Sequence, residues 1–218
     1  MNLFNIITDL KAHEDKVCAL DMSKYMRNKF EFFGVTAPKR VEICKSYFKE
    51  AKKLGVIDWN FVEICWQHEK RECQYIAAQY LKTMKKALVA EDLPKLKKLV
   101  ITKSWWDTVD ILDRVVGSLV YDNKKMQEII LEWSVDENIW LCRVAIDHQL
   151  LRKEKMNVEL LEKILVNNLN QKEFFINKAI GWALRDYSKT NPIWVKRFIE
   201  VNSENMASLS IREASKYL

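Results

Sequence analysis

Ser104-Trp105-Trp106-Asp107-Thr108-Val109-Asp110 carries a pattern that returns twice along the chain, at Ile139-Trp140-Leu141 and at Phe174-Phe175-Ile176, each time after about 35 residues. Each segment opens with large apolar side chains and runs on with apolar residues at helical spacing. A period in this range fits stacked helix pairs, because one pair cannot bury its apolar face alone and must lean on the next. Identity between the units is weak, so the repeats are HEAT-like rather than strict. The expected fold is therefore all-α: a HEAT-like helical repeat solenoid of antiparallel helix pairs with a concave basic groove, forming a single domain over residues 1–218.

Outward from these segments the helical spacing continues almost everywhere. It predicts helices over 3–13, 21–33, 38–54, 58–67, 70–87, 91–101, 104–120, 124–134, 138–152, 157–169, 173–189, 192–201 and 209–217. Pro38, Pro94 and Pro192 fall where a first helical turn tolerates proline. Ser104 with Asp107 three residues on reads as a capping box, and Gly34 and Gly55 read as helix ends. Only 4 Gly and 3 Pro occur in 218 residues, too few for the turns of a sandwich or a doubly wound sheet.

The chain carries 36 basic and 30 acidic side chains, a net +6 that permits a polyanionic partner. Cys18, Cys44, Cys65, Cys73 and Cys142 form no CxxC pair and have no metal-ligand spacing with His13, His68 or His148. They read as free thiols of a reducing compartment, which points to the cytoplasm. No apolar run of about 18 residues is present, so no membrane association is expected. A glycine-rich phosphate loop, HExxH and a zinc deaminase signature are all missing, so neither a metal nor a cofactor is expected.

Three places depart from plain packing. Trp106 and Asp110 are i and i+4 and share a helix face. Together they could hold a cation, or they could be a core tryptophan beside a solvated aspartate. Arg143 interrupts the apolar run of Ile139-Trp140-Leu141-Cys142-Arg143-Val144-Ala145-Ile146; it calls for a phosphate or for an acidic group on a neighbouring helix. Gly181 sits in mid-helix at a cost of roughly 1 kcal/mol against Ala. This implies close approach by a ligand or by another helix, with Trp182 and Arg185 next to it. Eight tryptophans are many for this length; Trp59, Trp66, Trp133 and Trp194 read as packing residues. Basic residues interleaved with aromatics, Lys103 and Lys178 among them, suit a surface that tracks a phosphate backbone.

At Thr102–Asp110, Asp136–Arg143 and Lys172–Arg185 the sequence resembles the AlkD-type DNA glycosylases of the HEAT-like repeat superfamily. Lys29-Phe30-Glu31-Phe32-Phe33-Gly34-Val35 and Leu209-Ser210 with Arg212-Glu213-Ala214 extend the likeness over nearly the whole chain. The resemblance implies a monofunctional glycosylase for cationic N3- and N7-alkylated purines in double-stranded DNA, acting as a monomer and without flipping the base. It implies Trp106, Asp110 and Trp182 as catalytic residues, with Arg143, Arg185 and Tyr25 at the DNA. One departure is Thr36-Ala37 before Pro38, where the family often has a polar Gln-Thr pair. Some relatives in the superfamily are not glycosylases, so a non-catalytic HEAT-like scaffold that binds DNA or protein is the alternative.

Overall fold

The computed structural model describes residues 2–218. They form two compact units, residues 2–88 and 89–218. The first holds α1 (Asn5–Ala12), α2 (Lys16–Tyr25), α3 (Ala37–Leu54), α4 (Trp59–Gln67) and α5 (Arg71–Thr83). The second holds α6 (Leu93–Ile101), α7 (Trp106–Val120), α8 (Lys124–Trp133), α9 (Ile139–Asp147), α10 (Val158–Asn167), α11 (Phe174–Ser188), α12 (Pro192–Asn202) and α13 (Ser208–Ala214). Among the described residues the only extended pairing is an isolated bridge between Glu31 and Lys70.

In the second unit α7, α9, α11 and α13 pack on one another in that order, while α8 and α10 lie beside them and against each other. The 35-residue period is the cause. Trp105, Trp140 and Phe175 hold equivalent places in successive repeats, and their rings meet at 5.7, 5.1 and 5.0 Å between centroids. This cluster fixes the register of three helices at one end. Further along, a Cβ on Gly117 of α7 would stand 2.0 Å from the backbone oxygen of His148. Only glycine lets α7 and α9 approach so closely there.

Pro38, Pro94 and Pro192 each occupy the first turn of a helix, as the sequence predicts. Gly55 ends α3 with a left-handed φ of 70°. None of the five cysteines is in a disulfide, and burial pushes the Cys44 thiol up to about 12, which keeps it inert.

Four local expectations fail. The helix expected over 21–33 lies instead at Lys16–Tyr25, and the apolar run after it is extended. The reason is 39 residues away: the buried carboxylate of Glu72 accepts the backbone N–H groups of Phe33, Gly34 and Val35 at 3.0, 2.8 and 3.1 Å. Gly34 belongs to this segment rather than to a helix end; it takes φ +91°, and a Cβ there would lie 2.0 Å from the Asp15 oxygen. The capping box at Ser104 does not form. Its hydroxyl donates back to Val100 O at 2.6 Å, as Thr102 does to Lys98 O at 2.7 Å. Both side chains finish α6 instead of starting α7. The helix expected over 138–152 stops at Asp147, and Leu151 then turns left-handed with its N–H held by Asp186 at 2.7 Å.

Candidate functional site

α7 brings Trp106, Asp110 and Asp113 to one face, since positions i, i+4 and i+7 share a stripe. α9 meets that stripe with Arg143 and Asp147, which are themselves i and i+4. The aromatic cluster at one end and the Gly117 contact at the other set the two helices so that Arg143 lies opposite Asp110.

The Arg143 side chain is 2 % exposed and Asp110 19 %. Nε and Nη2 of Arg143 donate to the two carboxylate oxygens of Asp110 at 2.8 and 3.0 Å. Nη1 donates to the backbone oxygen of Phe175 on α11 at 2.7 Å. This bidentate grip fixes the plane of the Asp110 carboxylate as well as its position. Burial disfavours the arginine's charge, but Asp147 and then Asp110 outweigh it and hold its pKa above the ordinary value. Arg143 thus turns inward to a carboxylate on the neighbouring helix.

Behind the pair lie two more acids. Asp113 is buried and accepts from Nη1 of Arg114 at 2.8 and 3.0 Å. Burial still pushes its carboxyl well above the usual range. Carboxylate oxygens of Asp110, Asp113 and Asp147 all lie within 4.8 Å of one another. The positive charge among them comes from Arg143 and Arg114.

Trp182 of α11 is partly exposed and closes the other side. The guanidinium carbon of Arg143 lies 5.6 Å from its ring centroid, that of Arg185 5.8 Å, and Lys178 Nζ 5.9 Å. Lys178 and Arg185 are held in turn by Glu213 of α13, each at 2.9 Å, and Lys216 joins them at 2.9 Å. Hydrogen bonds from Lys216 and Lys178 hold the Glu213 carboxyl down to about 2. Gly181 makes this possible: a Cβ there would come within 2.5 Å of the Glu213 Cβ and 3.1 Å of Ser210 O. Its place in mid-helix is therefore explained by helix packing.

The structure brings together Asp110, Arg143, Trp182, Lys178 and Arg185. Trp106 opens α7 one turn before Asp110 and is partly exposed. Lys103 lies in the turn before α7 with a left-handed φ of 49° and is exposed. Tyr25 ends α2 in the first unit and is 72 % exposed. Asp113, Asp147 and Glu213 were not singled out from the sequence as site residues. The signal for the first two was available: Asp113 follows Asp110 by three residues and Asp147 follows Arg143 by four, so each shares its neighbour's face.

Comparison with curated protein sequences gives no match. Among solved structures, a protein described as a predicted DNA alkylation repair enzyme from Enterococcus faecalis is similar at 36% identity and TM-score 0.84, over 94% of this chain and 96% of that one. AlkD2 from Streptococcus mutans is similar at 20% identity and TM-score 0.59, over 78% of this chain and 90% of that one. This second likeness is one of fold, the AlkD-type helical repeat. Residues 6–218 match the family described as DNA alkylation repair enzyme, and the chain belongs to that family.

Proposed function

We propose that the protein is a monofunctional DNA glycosylase that hydrolyses the N-glycosidic bond of cationic N3- and N7-alkylated purines in duplex DNA, 3-methyladenine and 7-methylguanine among them. In this reading it works as one domain and as a monomer, and leaves the damaged base in the stack. The observation that carries it is the Asp110 carboxylate, partly exposed and clamped in one orientation by a buried arginine.

An alkylated purine already bears positive charge and needs no acid to leave. The bond from C1′ to the purine breaks with both electrons going to the base, which departs neutral. Positive charge then develops on the sugar. Asp110 opposes that charge at a fixed distance and orients a water. The water adds to C1′ and gives its proton to Asp110. Trp106 and Trp182 offer electron-rich faces to the sugar cation. Arg143 keeps Asp110 in place and so acts through it. Lys178, Arg185, Lys103 and Tyr25 hold the DNA backbone.

In this reading a water attacks the sugar and no amine does, so the product is an abasic site in an unbroken strand. The test is release from methylated duplex DNA beside release of uracil. We expect 3-methyladenine and 7-methylguanine to be freed and uracil to stay, with no protein–DNA adduct on borohydride treatment. Equal excision of uracil, or a trapped adduct, would overturn the reading. Salt-sensitive DNA binding without any base release would make the protein a binding scaffold.

A further inference from the structure

Asp147 is a buried acid to which the reaction just described gives no task. Its side chain is 1 % exposed, and neither carboxylate oxygen receives a hydrogen bond from the protein. The nearest cation is Arg143, whose Nη2 stands 3.7 Å away, one turn back on α9. All the short bonds of that guanidinium go elsewhere, to Asp110 and to Phe175 O. A carboxylate kept from water without donors is costly, and a hydrophobic residue would fill the place better.

The charges around it do not balance. With all three ionised, Asp110, Asp113 and Asp147 would bring −3 against +2 from Arg114 and Arg143, an excess of −1. Burial raises the Asp113 carboxyl as well, but Asp113 accepts two bonds from Arg114 as an anion would, whereas Asp147 has no donor. The groups acting on Asp147 are Asp110, Asp113 and Arg114 from α7, Arg143 from α9 and Asp186 from α11. His148 beside it is kept neutral by burial, its pKa pushed down to about 3. A proton removes the excess negative charge, and burial raises the Asp147 carboxyl to about 7.

We propose that Asp147 is a positioning residue of the glycosylase reaction, which governs from behind Arg143 how much of that guanidinium's charge is left to neutralise Asp110. With Asp147 protonated, Arg143 serves Asp110 alone, and the field of Asp110 at the sugar is weakest. With Asp147 ionised, Arg143 is shared between two carboxylates and Asp110 opposes the sugar cation more strongly. Base release then rises with pH through neutrality. The inference rests on the glycosylase reading.

The test is single-turnover release of 3-methyladenine and 7-methylguanine from methylated duplex DNA between about pH 6 and 8.5, for the whole protein and for Asp147→Asn. The wild type should speed up by about tenfold, with a midpoint near 7 that coincides with the Asp147 carboxyl titration seen by ¹³C NMR. Asp147→Asn should stay flat at the wild type's low-pH rate. Asp113→Asn, which leaves Arg114 free to favour the Asp147 anion, should move the midpoint to lower pH. Melting curves show that each variant is folded, and a midpoint does not depend on how much of a sample is folded. A pH effect that belongs to the lesion would persist in Asp147→Asn, and that result would overturn the proposal, as would a flat wild-type profile. No release by the wild type at any pH would overturn the glycosylase reading itself, and this inference with it.

Discussion

Two ionic clusters of opposite balance flank Trp182. On one side three carboxylates stand around two arginines, the buried Arg143 and the partly exposed Arg114. On the other a single carboxylate, Glu213, stands among three cations, Lys178, Arg185 and Lys216. Excess charge is negative in the first and positive in the second. The first is largely buried and its buried arginine is fixed by three short bonds; the second is open, its cations a quarter to a half exposed. A fixed negative field suits a developing sugar cation, and a mobile positive one suits phosphates, which are held rather than transformed. Arg143, Lys178 and Glu213 are 35 residues apart in succession, so both clusters are variations on one repeat position.

The contrast can be broken at its buried end first. Arg143→Ala leaves the buried Asp147 and the partly exposed Asp110 without their cation and should cost about 3–5 kcal/mol of stability, read by denaturant unfolding. A loss below about 1 kcal/mol would mean that water reaches the cluster freely.

Asp147→Asn should act in the opposite sense as pH rises. The folded Asp147 carboxyl has its pKa raised to about 7, above its unfolded value. Its contribution to stability is therefore fully present at low pH and is lost as pH rises toward 7. The variant should gain on the wild type by up to about 1.4 kcal/mol per pH unit between about pH 4 and 7, and hold that lead above. Parallel stability curves would contradict the assignment of the proton.

Gly181→Ala probes what joins the open cluster to its helix. The added methyl meets the Glu213 Cβ, so a loss of about 1–3 kcal/mol is expected, with weaker DNA binding as the Glu213 crown shifts. The smallest effect should come from Lys178→Ala. It should lower DNA affinity by roughly 3–10-fold and reduce the salt slope by about 1, while the rate of base release from bound DNA stays near that of the wild type.

The fold could be read where the cause was local or periodic. The 35-residue interval placed Trp105, Trp140 and Phe175 in one cluster, and the prolines marked helix starts. Phe30–Phe33 misled because it carries helix-like apolar density, whereas the backbone from Phe33 to Val35 is held by Glu72, a partner no local pattern reveals. In the site, the shared face of Trp106 and Asp110 follows from helix geometry alone. That Arg143 pairs with an acidic group on a neighbouring helix was one of the open readings, and only the register of α9 against α7 makes that group Asp110. Gly181 was likewise ambiguous until Glu213 and Ser210 were seen against it. Glu213 itself gave no signal, since an exposed glutamate and one ringed by three cations look alike in a sequence.

The central claim is that Asp110 does its work on the sugar and not in folding or DNA binding. The most direct test is the single-turnover release of 7-methylguanine by Asp110→Asn beside the wild type, with DNA affinity measured on the same samples. The account predicts a rate lower by about 10²–10³-fold with affinity within about twofold. Release at the wild-type rate, or a loss of affinity equal to the loss of rate, would contradict it.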